Sequence, residues 1–343
     1  MRTLYLDAND LRQLLRQVGV ETLLREIAAA LRADFIRWEQ FDKAARSASH
    51  CPQGVIELMP ISDDARHAFK FVNGHPGNPA QGLPTVMAFG VLSDMATGCP
   101  LLLSELTLTT ALRTAATSAL AAQVLARPAP RTMALIGNGA QAEFQALAFL
   151  ALNGVNTLRL FDTDPRATAK LRHNLQPYVD AGRLSLVPCA SIGEAVRGSD
   201  IVTTATADKS HAAILGPEGI APGMHLNALG GDCPGKTELD PRILRHARVF
   251  VEYAPQSRLE GEIQHQPHDF EVTELWRVLA GLSPGRTRED EITVFDSVGF
   301  ALEDFSALRT LERLARELGL GRELVLVPEM DDPKDLWGWA HAR

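Results

Sequence analysis

The most constraining feature of the chain is a short glycine-rich turn between a predicted strand and a predicted helix. An apolar run at 133–136 ends in Gly137-Asn138-Gly139-Ala140-Gln141-Ala142, and a helical pattern follows at 143–152. Gly137 permits a tight turn, Gly139 has no Cβ to hold the backbone away from a pyrophosphate, and the small Ala142 lets the helix pack close to a sheet. Backbone N–H groups at the helix start would face the anion. The pattern predicts a dinucleotide-binding βα unit.

A carboxylate follows where dinucleotide-binding folds hold a ribose. The apolar run at 157–161 ends in Asp162, about 20 residues past the glycines. Asp162 is therefore predicted to bind the ribose 2′-hydroxyl. No arginine directly follows it to pair with a 2′-phosphate, which favours NAD over NADP, although Arg166 is nearby. The alternative is an ordinary βα turn with an unrelated aspartate.

From Arg131 onwards, apolar runs alternate with helical patterns, which predicts a doubly wound parallel sheet. Further strands are predicted at 184–187, 201–205, 225–229 and 249–252, and 295–299 is a turn at another strand end. Ligands bind at the carboxyl ends of such strands. Asp232 follows two glycines at one of these ends, where a nicotinamide would lie. It is either a functional acid or a cap of a turn.

The pattern before residue 128 is different. Two amphipathic helices, 9–19 and 21–35, precede strand-like runs at 55–59, 68–72, 85–92 and 100–108, which predict a mostly antiparallel sheet. Glu57 and Lys70 stand in these strands where apolar residues would suit packing, so each either faces solvent or has a function. Arg113 lies in an Ala-rich helix, 109–126, where a buried guanidinium requires an anionic partner from the protein or from a ligand.

Composition and charge exclude several classes of protein. The 343 residues carry a formal charge of −8, which argues against nucleic acid or an acidic membrane as the main partner. The N-terminus lacks the apolar core of a signal peptide, and no apolar run approaches the roughly 20 residues of a membrane span. The four cysteines form no C-x-x-C pair, so neither a metal site nor disulfides are expected. We expect a reduced, cytoplasmic protein.

Several stretches of the chain resemble the ornithine cyclodeaminase/μ-crystallin family. They are residues 69–76 (FKFVNGHP), 103–105 (LSE), 110–118 (TALRTAATS), 136–142 (IGNGAQA), 230–239 (GGDCPGKTEL) and 295–300 (FDSVGF). The resemblance covers almost the whole chain, and the GGDCPGK form is similar to the cyclodeaminase branch. It implies an α/β protein. Residues 1–127, with 303–343 folding back, would form an α+β substrate-binding and dimerisation domain. Residues 128–302 would form a Rossmann-type NAD-binding domain.

By position, the resemblance also implies the residues of the site. Arg46, Lys70 and Arg113 would hold the substrate α-carboxylate. Glu57 would face the distal ammonium, and Asp232 would be the catalytic acid/base. The residues implied for the NAD site are Thr85, Arg113, Gly137, Gly139, Ala140, Gln141, Asp162, Thr206, Leu229, Gly230, Gly231, Lys236, Ser297 and Val298.

The implied reaction is the conversion of L-ornithine to L-proline and ammonia by a homodimer, in proline formation from arginine and ornithine. The substrate α-hydrogen would pass as hydride to NAD and return after ring closure, so that no net redox change occurs. A lysine cyclodeaminase, an NAD(P)H-dependent ketimine reductase or an amino-acid dehydrogenase is a related alternative. A μ-crystallin-like binding protein is the non-enzymatic alternative, but the charges of Lys70, Arg113 and Asp232 argue against a pure scaffold.

Overall fold

The computed structural model describes residues 2–207 and 213–341. Its first part contains β1 (Thr3–Leu6), α1 (Ala8–Val18), α2 (Val20–Ile36), β2 (Asp42–Lys43), β3 (Ser47–Cys51), β4 (Gly54–Ser62), β5 (Arg66–Gly74), β6 (Ala88–Asp94), β7 (Pro100–Glu105) and α3 (Thr107–Leu125).

The second part begins after a Pro-containing connection. It contains β8 (Thr132–Ile136), α4 (Ala142–Asn153), β9 (Thr157–Phe161), α5 (Pro165–Asp180), β10 (Ser185–Pro188), α6 (Ile192–Val196), β11 (Ile201–Thr204), β12 (His225–Ala228), α7 (Pro241–Arg245), β13 (Arg248–Val251), α8 (Ala254–Glu260), β14 (Thr273–Glu274), α9 (Leu275–Leu279), β15 (Thr293–Asp296), α10 (Ala301–Leu318), β16 (Arg322–Leu324) and α11 (Leu336–His341).

The strands of the first part form a mixed sheet together with β16 from the C-terminal end of the chain, in the order β16-β1-β7-β6-β5-β4-β2, and β3 pairs with β4. Only the β1–β7 contact within this order is parallel, so the predicted antiparallel sheet is confirmed. The side chains alternate between the two faces. Helix α10 covers the inner face, and that face buries both Glu57 and Lys70. The outer face leaves Ile56, Leu58 and Phe89 exposed.

The second part forms a parallel sheet with the order β10-β9-β8-β11-β12-β15-β13-β14. All of its strand pairs are parallel, as the alternating pattern predicts. The chain runs outward from β8 through β9 to β10, and then returns to place β11 on the other side of β8. This reversal of strand order creates a crevice at the carboxyl ends of β8 and β11, which is where doubly wound sheets bind ligands. The fold class is therefore α/β with a Rossmann-type sheet.

Helix α3 joins the two sheets. It packs against α2 and α4 and contacts β12 and β15 of the parallel sheet. It is buried on nearly every side, and Ala115, Ala116 and Ala119 are completely buried. A helix that is apolar all round is a core helix, and small side chains allow its neighbours to approach closely. Arg113 is therefore carried into the interior between the two sheets.

Some predicted boundaries were wrong for local reasons. The strand predicted at 100–108 ends at Glu105, because the Glu105 carboxylate accepts hydrogen bonds from the backbone N–H groups of Thr107 and Leu108 and starts α3 there. Strand β6 begins at Ala88, and Thr85 lies in the preceding loop. In the C-terminal tail, β16 pairs with β1, whereas Trp337 and Trp339 are exposed. Residues 1, 342 and 343 lie outside the described residues.

Candidate active site

The glycine-rich loop after β8 has the geometry of a phosphate cradle. Gly137 has a φ of +91°, and a Cβ there would lie 2.6 Å from the carbonyl oxygen of Ala205. Only glycine therefore allows the loops after β8 and β11 to meet. A Cβ on Gly139 would meet no atom within 4 Å, so open space faces the start of α4. Asn138 fixes the loop, because its side-chain amide donates to Thr168 Oγ1 at 2.9 Å.

Asp162 lies beside this loop, as its predicted position requires. Its Oδ2 accepts the backbone N–H of Asn138 at 2.6 Å, and its Oδ1 accepts that of Asp164 at 2.8 Å. An ionised carboxylate accepts about four hydrogen bonds, so it retains capacity for a hydroxyl donor. Arg166 instead pairs with the carboxylate of Asp164 at 2.9 Å, and its side chain is 90% exposed.

The loops after β11 and β12 are held together by Glu238, which the sequence reasoning missed. One carboxylate oxygen accepts the backbone N–H of Thr206 at 2.7 Å, and the other accepts that of Gly230 at 2.8 Å. A Cβ on Gly230 would lie 2.2 Å from this carboxylate, and a Cβ on Gly231 would lie 2.5 Å from Oε1 of Glu262. The two glycines therefore leave room for buried carboxylates that shape the loop.

Asp232 follows these glycines at the same edge of the sheet. Its side chain is 54% exposed, and its Oδ1 lies 3.5 Å from Nζ of Lys236. Lys236 is itself buried and donates to the carbonyl oxygen of Thr206 at 2.9 Å. Asp232 is thus an accessible carboxylate beside a fixed ammonium, rather than a residue enclosed in the core.

The loop after β15 carries Ser297 and Val298 and is held by the buried Glu252. The Ser297 hydroxyl donates to Glu252 Oε1 at 2.7 Å, and the backbone N–H groups of Val298 and Gly299 donate to the same carboxyl group. Burial and the charge of Glu303 raise the pKa of Glu252 to about 8. The raised pKa favours the protonated form of Glu252.

Lys70 and Arg113 meet at the inner face of the mixed sheet. Lys70 Nζ lies 2.8 and 2.9 Å from the oxygens of Asp304. Arg113 donates to Asp304 at 3.0 Å and to Glu303 at 2.5 Å. The anionic partner expected for Arg113 is thus a pair of carboxylates at the start of α10. Burial and the charge of Arg113 lower the pKa of Lys70 to about 8, although Asp304 opposes the shift.

Arg46 is enclosed by protein acceptors. Its Nη1 donates to Glu57 at 3.0 Å, and its Nε lies 3.1 Å from Oε2 of Glu260. Its Nη2 donates to the carbonyl oxygens of Val298 and Gly299 at 2.7 and 2.6 Å. Arg46 therefore joins the first part of the chain to the loop after β15. Most of its donors are engaged by the protein, and the contact with the substrate α-carboxylate that the resemblance implies for Arg46 stays a prediction.

The other residues implied for the NAD site take different positions. Gln141 donates from Nε2 to the carbonyl oxygen of Ala111 at 3.1 Å and so fixes the glycine loop to α3. Ala140 is exposed on that loop. Leu229 contributes its backbone, because its N–H donates to Thr204 at 3.0 Å. Thr85 lies in the loop before β6, where its carbonyl oxygen accepts the N–H of His75.

The sequence reasoning missed a set of buried carboxylates that shape the site. The set comprises Glu238, Glu252, Glu260, Glu262, Asp296, Glu303 and Asp304. Two of them occur in the stretches that carry the resemblance, namely Glu238 in GGDCPGKTEL and Asp296 in FDSVGF. These acids could have been found in the sequence as acidic residues within otherwise apolar segments. A buried acid must have hydrogen-bond or charged partners, so such a residue indicates a polar cluster.

The part of the chain that the structure describes is residues 2–207 and 213–341. Within them, no cluster of three or more His, Cys, Asp or Glu side chains has a geometry that could hold a metal ion. Within the same ranges, no helix is both long enough and apolar enough to cross a bilayer.

Comparisons with known proteins agree with this geometry. The model of the ornithine cyclodeaminase/mu-crystallin family matches residues 9–317. An ornithine cyclodeaminase of Brucella suis biovar 1 (strain 1330) is 55% identical over 334 residues, which are 97% of this chain and 92% of that protein.

Two solved structures have the same fold. A lysine cyclodeaminase, studied for its recognition of L-lysine, L-ornithine and L-2,4-diaminobutyric acid, has a TM-score of 0.91 and 31% identity, covering 98% of this chain and 99% of that one. An archaeal alanine dehydrogenase, a dimer with bound NAD, has a TM-score of 0.85 and 31% identity, covering 95% and 100%. The chain belongs to the ornithine cyclodeaminase/μ-crystallin family.

Proposed function

We propose that this chain is an NAD-dependent ornithine cyclodeaminase, which converts L-ornithine to L-proline and ammonia. The observation that carries the proposal is that two kinds of site both lie within electrostatic reach of Arg46, since its charge interacts with Lys70, with Arg113 and with Asp232. The buried cations Lys70 and Arg113 lie at the inner face of the mixed sheet, and the loop that carries Asp232 lies at the carboxyl edge of the parallel sheet. The 55% identity to the Brucella suis ornithine cyclodeaminase supports the same reaction.

The residues at the carboxyl edge of the parallel sheet fit NAD. The open face of Gly139 and the start of α4 suit a pyrophosphate, and Asp162 lies where it can accept a ribose hydroxyl. Arg166 is paired with Asp164, so it is not poised for a 2′-phosphate, and NAD is favoured over NADP. When bound, NAD supplies a hydride acceptor and then a hydride donor for the substrate α-carbon.

The residues of this chain then have defined tasks. Lys70 and Arg113 hold the substrate α-carboxylate, because cationic donors in a buried site bind carboxylates strongly. Asp232 accepts a proton from the substrate α-ammonium group, so that the α-carbon can lose hydride and form an iminium. The distal ammonium loses a proton to solvent, and the neutral distal amine then attacks this iminium carbon. Asp232 returns the proton to the departing ammonia, leaving a five-membered cyclic imine that is reduced to proline. Closure of the loops over the imine excludes water, which would otherwise hydrolyse it.

Three related reactions and one binding role compete with this proposal. Lysine as substrate would give pipecolate, and a lysine cyclodeaminase shares the fold at 31% identity. A dehydrogenase or a ketimine reductase would turn over NAD(P)H stoichiometrically, and the archaeal alanine dehydrogenase also shares the fold. A μ-crystallin-like binding protein would need no accessible acid, so the exposed Asp232 weighs against that role.

We also propose a homodimer in which the mixed sheet supplies the contact, with the first part of the chain as substrate domain and the second as NAD domain. The outer face of the mixed sheet exposes Ile56, Leu58 and Phe89, and the rings of Phe71 and Phe89 stack there at 5.0 Å. An apolar sheet face of this kind is typical of an interface. Sedimentation of the wild type should give twice the chain mass, and Phe89→Asp should give the monomer mass. A wild-type monomer would contradict the dimer.

The test of the reaction combines L-ornithine with a trace of NAD⁺ and measures proline and ammonia. The proposal predicts many equivalents of both products per NAD⁺, without accumulation of NADH. Turnover of lysine alone would assign the protein to the lysine activity, and stoichiometric NADH would assign it to a dehydrogenase. The absence of turnover with ornithine, lysine and cyclic imines would favour the binding role.

A further inference from the structure

Glu238 extends the hydrogen bonding between β11 and β12 beyond the ends of these strands. The backbone pairing of the two strands ends where the N–H of Leu229 donates to the carbonyl oxygen of Thr204 at 3.0 Å. Beyond that point, the N–H groups of Thr206 and Gly230 both donate to the Glu238 carboxylate, at 2.7 and 2.8 Å. One buried side chain therefore joins the two loops past the point where their strands pair.

The carboxylate of Glu238 is held on a rigid support. The backbone N–H of Glu238 donates to Glu262 Oε1 at 2.7 Å, and its carbonyl oxygen accepts the N–H of Ile214 at 2.8 Å. Glu262 is in turn fixed by Asp296, whose Oδ1 accepts the Glu262 N–H at 2.9 Å. All three acids are buried, and Asp296 belongs to β15. A side chain whose own backbone is locked in this way can hold its partners precisely.

Two of these acids lie against glycines of the loop after β12. A Cβ on Gly231 would lie 2.5 Å from Glu262 Oε1, and a Cβ on Gly230 would overlap the Glu238 carboxylate. Neither glycine has a positive φ, so the space taken by the acid, rather than the backbone conformation, excludes a larger residue. The loop after β12 is thus built around the two carboxylates.

The loop after β11 carries a contact with the proposed acid/base. The carbonyl oxygen of Thr206 accepts a hydrogen bond from Lys236 Nζ at 2.9 Å, and this Nζ lies 3.5 Å from Asp232 Oδ1. Glu238 holds Thr206 a second time, because the Thr206 hydroxyl donates to Glu238 Oε1 at 2.5 Å. A shift of Thr206 would therefore move Lys236 and change the surroundings of Asp232.

The proposed reaction makes a specific demand on these loops. A dehydrogenase releases NADH after each hydride transfer, whereas the internal cycle needs NADH to stay bound through ring closure and the loss of ammonia. Loops that opened during that interval would release NADH and leave the cyclic imine unreduced. We propose that Glu238 is a positioning residue, which keeps the loops after β11 and β12 together so that NADH stays bound between the two hydride transfers. This inference rests on the proposed function.

The experiment compares the wild type with Glu238→Gln. The amide nitrogen of this variant cannot accept a backbone N–H, so one of the two loops loses its partner. Loss of a hydrogen bond to a buried carboxylate should raise the Kd of NADH, measured by fluorescence titration without substrate, about 10- to 100-fold. During turnover of L-ornithine, NADH that escapes is captured by a dye-reducing enzyme and counted per proline formed. The variant should release NADH together with an equal amount of cyclic imine, and the wild type should release almost none.

Glu291→Gln is the matched control. Glu291 is also a buried acid that holds a loop, because its Oε2 accepts the backbone N–H of Thr287 at 2.8 Å, but it precedes β15 at the opposite edge of the sheet. Whatever its effect on stability, this control should change neither the Kd of NADH nor the NADH released per proline. An equal rise of both quantities in the two variants would mean that Glu238 acts only through stability, and would overturn the inference.

Gly230→Ala tests the same contact from the other side. The new Cβ would displace the Glu238 carboxylate without backbone strain, so this variant should also release NADH. The double variant of Gly230→Ala and Glu238→Gln should release no more NADH than the worse single variant, because both changes break one contact. Additive effects, or no release by either single variant, would overturn the inference. Failure of the wild type to form proline would overturn the proposed function instead, and the Kd of NADH in the variants would still test Glu238.

Discussion

The guanidinium of Arg113 occupies the space beside Gly299 that any other residue would fill. A Cβ on Gly299 would lie 2.7 Å from Nη1 of Arg113, and Gly299 has a φ of +77°. Glycine at this position therefore leaves space in the loop after β15 for the Arg113 guanidinium, which we propose binds the substrate α-carboxylate. Arg46 donates to the carbonyl oxygen of the same glycine, so two cations depend on this one backbone position.

Gly299→Ala should displace Arg113 and weaken amino-acid binding. We expect kcat/KM for ornithine to fall by about tenfold or more, since that ratio corresponds to about 1.4 kcal/mol of lost binding. The matched control is Gly281→Ala, because Gly281 has a φ of +73° but no atom within 4 Å of its Cβ position. Both variants carry similar backbone strain, of about 1 kcal/mol. Equal kcat/KM in the two variants would contradict the role of the Arg113 contact.

The protein should tolerate Glu252→Gln but not Glu252→Ala. Because the pKa of Glu252 is raised to about 8, its neutral form is favoured at pH 7, and Glu252→Gln should keep the free energy of unfolding within about 1 kcal/mol. Glu252→Ala would leave the Ser297 hydroxyl and two backbone N–H groups without a buried partner, at a cost of about 2–4 kcal/mol.

Denaturant titration of these variants at several pH values tests whether Glu252 makes the free energy of unfolding fall or rise with pH. The folded protein binds a proton at Glu252 that the unfolded chain has lost above pH 4.5, so this group lowers stability as pH rises from 4.5 toward 8. Glu252→Gln should remove that part of the slope. An unchanged slope would mean that Glu252 is ionised throughout.

The value of kcat/KM for ornithine should fall at alkaline pH. Binding of a carboxylate needs the charged form of Lys70, whose pKa is about 8, so activity should fall above that pH. Lys70→Arg should move the alkaline limb upward. An unchanged alkaline limb in this variant would remove Lys70 from substrate binding.

Asp232→Asn tests the acid/base assignment. The amide cannot accept the amine proton, so kcat should fall about 100- to 10,000-fold, the usual contribution of a positioned acid or base. Because the Asp232 side chain is 54% exposed, the fold should be unaffected, and thermal unfolding should give a midpoint close to that of the wild type. Near-normal turnover by this variant would exclude Asp232 as the proton acceptor.

Sequence reasoning could locate the glycine loop because its chemistry is local. The turn at Gly137 and the strand end at Asp162 are fixed by neighbours in the chain, and both lie in the structure as their spacing predicts. The same reasoning could state that Arg113 needs an anion, since burial in an Ala-rich helix follows from composition. It could not name Glu303, because that partner lies 190 residues away and is brought there by the packing of α10 on the mixed sheet.

The buried acids show the same limit more clearly. Glu260 stands in a short helix with no period or motif to mark it, and its importance comes from Arg46, which reaches it from the other part of the chain. The resemblance placed Arg46 on the substrate carboxylate. The structure surrounds it with two acids and two carbonyl groups, and these contacts arise only when the two parts of the chain are folded together.

The central claim is that hydride leaves the substrate α-carbon and returns to the same molecule. The most direct test incubates the protein with L-ornithine deuterated at Cα, a catalytic amount of NAD⁺ and a pool of unlabelled NADH. The deuterium content at Cα of the proline is then measured by mass spectrometry. We predict that deuterium is retained in nearly every turnover and that ammonia forms in equal amount. Loss of deuterium from proline into the NADH pool would contradict the internal cycle and indicate a dehydrogenase or a reductase.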